Sequence, residues 1–127
     1  MKVYRKFNDK ENVVRVKSFQ FAVRIIKLYK FLVSKNEFVL SKQLLKSGTS
    51  EGANIREADN GESKADFIHK MGIAQKEIDE TLYWLELLFE TDYLSEKEFN
   101  SIYLEAEELI KLNKKIIITS KRKRLDN

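Results

Sequence analysis

The stretch SGTSEGANIREA, Ser47–Ala58, decides how this chain folds. It has helical spacing but is built largely from poor helix formers. Gly48 and Gly52 lie four apart, so they stack on one side of a helix and remove side chains there. Each costs a helix interior about 1 kcal/mol relative to Ala. A helix bears that cost where another backbone comes close or a site needs room. The Gly-x-x-x-Gly spacing also serves packing between membrane helices. Here Glu51, Asn54, Arg56 and Glu57 make the segment too polar for a bilayer, so it reads as close helix packing. It is not a phosphate loop, because no Gly-rich loop followed by Lys-Ser or Lys-Thr is present.

The rest of the chain agrees with a helical reading. Its 127 residues suit one domain, with enough length to bury about two-thirds of the unfolded surface without staples. There is no Pro, the residue that breaks helix interiors, and charged residues are 35% of the chain, mostly the helix formers Lys and Glu. With no Cys, disulfides and thiolate metal sites are excluded, and a reducing cytoplasm is the expected compartment. No apolar run approaches the roughly 18 residues of a membrane span, and MKVYRKFNDKEN at the start lacks the apolar stretch of a signal peptide.

Four amphipathic segments follow from the apolar spacing. The first spans about 16–35, with stripes Phe21, Ile25, Leu28, Leu32 and Ala22, Ile26, Tyr29, Val33 that together predict a broad buried face. The second spans about 37–59, with Asn36 as its expected N-cap and the Asn60-Gly61 turn after it. The third, about 63–91, starts at a capping-box-like Ser63…Asp66 and carries the seam Phe67, Met71, Ala74, Ile78, Thr81, Leu85, Leu88. The fourth, about 95–119, follows the Ser95…Glu98 capping box. The β-branched run at 115–119 is kept in this helix because no partner strand exists elsewhere. Short connections predict an all-α, antiparallel, up-down-up-down four-helix bundle. The ends 1–14 and 120–127 are expected to be loose.

Polar groups cluster on two of these helices. In the second, the seam Leu44, Gly48, Glu51, Ile55, Ala58 runs beside Gln43, Ser47, Ser50, Asn54 and Glu57. In the third, Ile73, Glu77, Glu80, Trp84 and Leu87 form a comparable stripe beside Thr81. If the two helices pair, Ser47, Ser50, Asn54, Glu57, Glu77, Glu80 and Thr81 are expected to form an interhelical polar network, since buried polar groups require partners. A ligand site is the other reading of that stripe. Glu51 sits among apolar seam residues, where an ionised carboxylate is costly unless paired. It is expected either to reach the bundle edge or to pair with Lys or Arg, within the chain or across subunits. Adjacent Tyr83 and Trp84 point about 100° apart, so one is expected to enter the core.

No catalytic machinery is visible. Di-iron bundles need two Glu-x-x-His motifs. This chain has a single histidine, His69, and one such spacing, Asp66 to His69. Ser-His-Asp catalysis lacks a nucleophile elbow. Glu77 and Glu80 are a carboxylate pair of the kind that Lys/Glu-rich helices usually leave solvated. No enzymatic activity, cofactor or metal is expected.

Charge is unevenly spread. Residues 1–35 carry 10 basic and 2 acidic groups, residues 36–113 carry 8 and 17, and residues 114–127 carry 6 and 1. Lys121, Arg122, Lys123 and Arg124, with Lys114 and Lys115 before them, form a cluster of the type that binds phosphates. A solvated tail that suits a helix C-terminus is the alternative reading. In an up-down-up-down bundle this cluster would meet the basic start of the chain, from Lys2 to Arg15 and Lys17, at one pole.

SGTSEGANIREA and the following GESKADFIHKMGIAQKEIDETLYWLELL resemble the bacterial 23S rRNA intervening-sequence proteins, over roughly residues 12–119. That family's pattern has an apolar residue, usually Ile, where this chain has Glu51. The resemblance implies an antiparallel four-helix bundle, often a homopentamer, with RNA or DNA as the expected partner and no established enzymatic activity. It places Ser47, Ser50, Asn54, Glu57 and Thr81 on family motif positions without assigning them chemistry. A relative of the family, the accessory variability determinant of diversity-generating retroelements, works beside a reverse transcriptase. The second expectation is therefore a protein-interaction scaffold.

Overall fold

The computed structural model describes residues 13–126, with the side chains of 124–126 outside the description. Four helices, α1 (Val13–Ser34), α2 (Leu40–Asp59), α3 (Lys64–Glu90) and α4 (Glu96–Asp126), make up the fold, and the described residues contain no strand.

The helix ends are set by local chemistry. α1 and α3 stop in the same way. Asn36 and Asp92 both take positive φ, 63° and 69°, the left-handed conformation that Asn and Asp tolerate better than most residues. After α1, the amide of Glu37 donates to the Leu32 carbonyl at 2.9 Å and that of Asn36 to Val33 at 2.9 Å. After α3, Tyr93 donates to Leu88 at 2.9 Å and Asp92 to Phe89 at 3.1 Å. Both are Schellman closures, which satisfy carbonyls the helix leaves unpaired. Asn36 thus terminates α1 and does not cap α2. That role falls to Glu37, whose carboxylate accepts from the amides of Ser41 at 2.6 Å and Val39 at 3.3 Å. A carboxylate there also suits the positive end of the helix dipole.

The expected caps of α3 and α4 are present. Ser63 Oγ accepts from the Asp66 amide at 3.0 Å, and Ser95 Oγ accepts from the Glu98 amide at 3.2 Å. At its far end α4 does not stop near 119. It continues to Asp126, so the segment expected to be loose from 120 is helical as far as it is described. Lys and Arg are good helix formers and suit a helix C-terminus. Of the loose start expected at 1–14, residues 1–12 lie outside the described residues, and Val13 and Val14 already belong to α1.

One apolar core joins all four helices. It includes Phe21, Ile25 and Leu32 of α1, Leu44 and Ile55 of α2, Met71, Ile78, Leu85 and Leu88 of α3, and Ile102 and Leu109 of α4. Full burial of such a side chain contributes about 1.5–3 kcal/mol. The α3 seam lies inward from Met71 onward, with Phe67 half-buried at its start. In α1 the first stripe lies deeper, with Phe21, Ile25 and Leu32 buried and Leu28 half-buried. Ala22, Tyr29 and Val33 are half-buried, Ile26 is exposed, and Phe19 beside them is 50% exposed. Trp84 packs against the core while Tyr83 remains 55% exposed.

α1 and α2 meet at the two glycines. A Cβ on Gly48 would lie 2.6 Å from Cγ2 of Ile25, and one on Gly52 would lie 3.4 Å from the carbonyl oxygen of Ser18. Gly48 therefore admits a core side chain and Gly52 admits a backbone. Gly72 in α3 is different, because nothing lies within 4 Å of an added Cβ.

The two positions should respond to alanine with opposite signs. Gly48→Ala forces Ile25 and its helix aside and should destabilise by about 1–3 kcal/mol, the usual cost of overpacking. Gly72→Ala adds a better helix former in open space and should stabilise by about 0.5–1 kcal/mol. Urea denaturation of both variants beside the parent measures the two signs.

Candidate nucleic-acid interface

The polar stripes of α2 and α3 meet at one point. Thr81 Oγ1 lies 2.8 Å from Ser47 Oγ, with both residues fully buried. Thr81 Oγ1 is also 2.8 Å from the Glu77 carbonyl, and Ser47 Oγ is 3.4 Å from that of Leu44. The other expected network residues turn to local or solvent-facing partners. Asn54 donates to the Ser50 carbonyl at 2.9 Å, Glu57 approaches Lys70 at 3.9 Å, and Glu80 accepts from Trp84 Nε1 at 3.1 Å. Glu77 has its pKa raised, first by burial and then by Glu80, with Lys46 opposing. The result is a two-hydroxyl bridge instead of a network of hydroxyls and carboxylates.

Glu51 departs from expectation. It reaches no edge, and among the described residues it pairs with no cation. The residue is 0% exposed, and neither carboxyl oxygen has a hydrogen-bond partner among the described residues. Burial raises its pKa from 4.5 to about 9, with the Gly52 backbone amide opposing in part. The carboxyl is therefore neutral at pH 7. With no exposed atom, it has no route to a neighbouring subunit either.

Asn113 of α4 is also fully buried. Its Nδ2 donates to the Met71 carbonyl of α3 at 2.9 Å, while Oδ1 has no partner among the described residues.

The expected basic site divides into three parts. Arg15 is only 8% exposed, and its Nη1 lies 2.9 Å from Asp59 Oδ2. That ion pair ties the start of α1 to the end of α2 and withdraws Arg15 from an external phosphate. Lys17 is exposed, but it borders a small recess that includes the acidic Glu105 and Glu108. Lys114, Lys115, Lys121, Arg122 and Lys123 are all exposed on the late turns of α4. On a helix, Lys114 and Lys121, like Lys115 and Arg122, lie seven residues and so about 10.5 Å apart on nearly the same face. The Arg124 side chain and Lys2 to Lys10 lie outside the described residues.

Beside these lysines is a cleft of about 500 Å³. Its walls come from the start of α1, the last residue of α2, the start of α3 and the late turns of α4, including Asp59, Phe67, Met71, Lys115, Ile116 and Lys123. Among the described residues no group of three or more His, Cys, Asp or Glu side chains is placed to hold a metal ion. No described helix is long and apolar enough to cross a membrane.

Comparison with protein families matches residues 10–115 to the model for 23S rRNA-intervening sequence proteins. The chain belongs to that family. A solved structure from Bacteroides thetaiotaomicron VPI-5482, described as a protein of unknown function from the S23 ribosomal protein family, is similar at 57% identity with a TM-score of 0.82. The match covers 83% of this chain and 98% of that one. Comparison with curated proteins gives no match.

Sequence patterns alone missed the Arg15–Asp59 pair, the Phe67 cleft and Asn113. A signal existed for Asn113, which extends the apolar spacing Ile102, Ala106, Leu109 of α4 by one further step. Nothing local marks Arg15 and Asp59 as partners, since they are far apart in sequence.

Glu51 should make stability fall as pH rises. In the unfolded chain its carboxyl ionises above about 4.5, whereas in the fold it holds its proton to about 9. Within that window the folded state binds the extra proton, so the Glu51 contribution is fully present below pH 4.5 and lost as pH climbs to about 9. Glu51→Ile should remove this slope and stabilise by about 1–4 kcal/mol at pH 7, as replacing buried ionisable groups with apolar ones often does. Denaturant melts of parent and variant at acidic, neutral and alkaline pH should show the gap widening with pH.

Proposed function

We propose that this chain is a non-enzymatic nucleic-acid-binding protein that holds a phosphate backbone on the basic late turns of α4. The observation that carries this reading is the row of exposed lysines and arginine from Lys114 to Lys123, on a helix that runs to Asp126. Fixed on a helix, these cations keep a set spacing, which a loose tail would not. Membership of a family named for an rRNA intervening sequence supports the same reading. Lys and Arg contacts of this kind position a nucleic acid without reading its sequence. A cytoplasmic location fits the chain without cysteine.

The arrangement we propose is an antiparallel up-down-up-down bundle. Contacts between α1 and α2 run in opposite order along the two helices: Arg15 with Asp59, Ser18 with Gly52, and Ile25 with Gly48. Lys70 with Glu57 and Thr81 with Ser47 extend the trend to α2 and α3. The bundle is proposed to be a symmetric oligomer, a pentamer by family resemblance. Its subunits would contact through α1 and α2, where Phe19 and Ala22 border a groove of about 350 Å³ with Gly52 and Ala53 on its far side. Cyclic symmetry with parallel bundle axes would place every α4 terminus on one rim.

A specific observation favours a second reading, a scaffold for a protein partner such as a reverse transcriptase. Phe38 and Val39, in the α1–α2 connection, are 58% and 72% exposed, and Phe31 and Tyr93 are exposed as well. Apolar side chains in connections suit a protein surface better than a phosphate backbone.

One measurement separates these readings and a second tests the assembly. The triple variant Lys121→Gln, Arg122→Gln, Lys123→Gln should weaken binding to all RNA sequences alike. It should also flatten the slope of log K against log salt by about 2, at roughly 0.7 per phosphate contact on a single strand. Unchanged affinity and slope would move the protein-partner reading ahead. Sedimentation at low micromolar concentration should give one species several times the 15.0 kDa chain, and a monomer alone would reject the oligomer.

A further inference from the structure

We propose that the cleft beside the α4 lysines takes an unstacked base of a single-stranded nucleic acid, with Phe67 as the stacking platform. This rests on the nucleic-acid reading and narrows it from any phosphate backbone to a strand with free bases.

The cleft combines two chemistries. Its apolar wall is Phe67, Met71 and Ile116, and its cations are Lys115 and Lys123, at about 500 Å³ in all. Phe67 packs against the core, is only half-buried, and lines the cleft. Lys115 and Lys123 are exposed and lie eight residues apart on α4, about 12 Å along its axis. The carboxylate in the wall, Asp59, has its charge balanced by Arg15 at 2.9 Å. It can still accept a hydrogen bond from a base amino group, because an ionised carboxylate has several acceptor sites.

Charge and shape together select the occupant. Cations beside an apolar recess complement a ligand that is anionic along one edge and flat and apolar on another. A duplex offers the anionic edge but keeps its bases stacked inside, so it would leave the recess empty. A single strand offers both, with bases stacking on aromatic rings while phosphates track cations.

The test compares a single-stranded RNA of about 12 nucleotides, within the usual range of single-strand site sizes, with a duplex of equal length. Fluorescence anisotropy at fixed salt should favour the single strand by at least about fivefold, the lower end of what one base–aromatic stack contributes. Phe67→Leu keeps an apolar side chain but removes the ring, and should weaken single-strand binding by at least about fivefold, with duplex binding unchanged. Phe67→Tyr should restore the preference. A photo-crosslink from a 5-iodouridine-substituted strand to the parent protein needs no variant, and the crosslinked peptide should contain Phe67.

Equal binding of both forms, or crosslinks confined to peptides outside the cleft, would overturn the proposal while leaving the phosphate-backbone reading intact. Equal competition by a free nucleoside monophosphate would assign the cleft to small nucleotides, and dissociation of an oligomer by Phe67→Leu would assign it to a second copy. Either result would overturn it. Absence of binding to any nucleic acid would remove both readings at once.

Discussion

The approach of α1 to α2 at Gly48 and Gly52 governs much of this structure. Removing two side chains from one face of α2 costs helix stability, on the order of 2 kcal/mol for the pair. In return Ile25 reaches a fully buried position that a Cβ at Gly48 would block, and Gly52 leaves room for the Ser18 carbonyl. Dense interiors do not absorb even one extra methyl without adjustment. The position of α1 follows from that contact. Arg15 is then held against Asp59, Ser18 is buried, and the start of α1 forms one wall of the cleft beside α4.

Polar groups inside the core work differently from the apolar ones. Ser47 and Thr81 satisfy each other across α2 and α3, so their pairing holds in one register and is lost when either helix slides. Asn113 does the same for α3 and α4 through the Met71 carbonyl. Glu51 has no such return. It occupies an apolar seam position fully buried, and only its proton makes that tolerable. A neutral carboxyl costs far less to bury than a carboxylate, which is why the proton stays to high pH.

The charges divide between internal and external roles. Arg15 is paired within the fold, whereas Arg24 makes a surface tie between α1 and α4, reaching Glu105 at 2.7 Å and Ser101 at 2.8 Å. The late turns of α4 keep Lys114, Lys115, Lys121, Arg122 and Lys123 exposed. At 31 residues α4 is about 46 Å long, against about 30 Å for the 20 residues of α2. Its late turns carry these cations at spacings fixed by the helix.

Much of this was legible from the sequence alone. Periodic apolar spacing, the absence of Pro and two Ser capping boxes determined that there are four helices and roughly where α3 and α4 begin, because these signals act within a few residues. The glycine pair announced close packing for the same local reason. Asn36 was ambiguous, since Asn serves both as an N-cap and as a left-handed terminator, and only the path of the following chain selects one. Tertiary structure alone decided the fate of the charged and polar residues. A carboxylate at 51, an arginine at 15 and an amide at 113 look alike in a string of letters whether they face water or the core. Their protonation, pairing and availability depend on groups 40 or more residues away or on the exclusion of water, and neither exists until the helices pack.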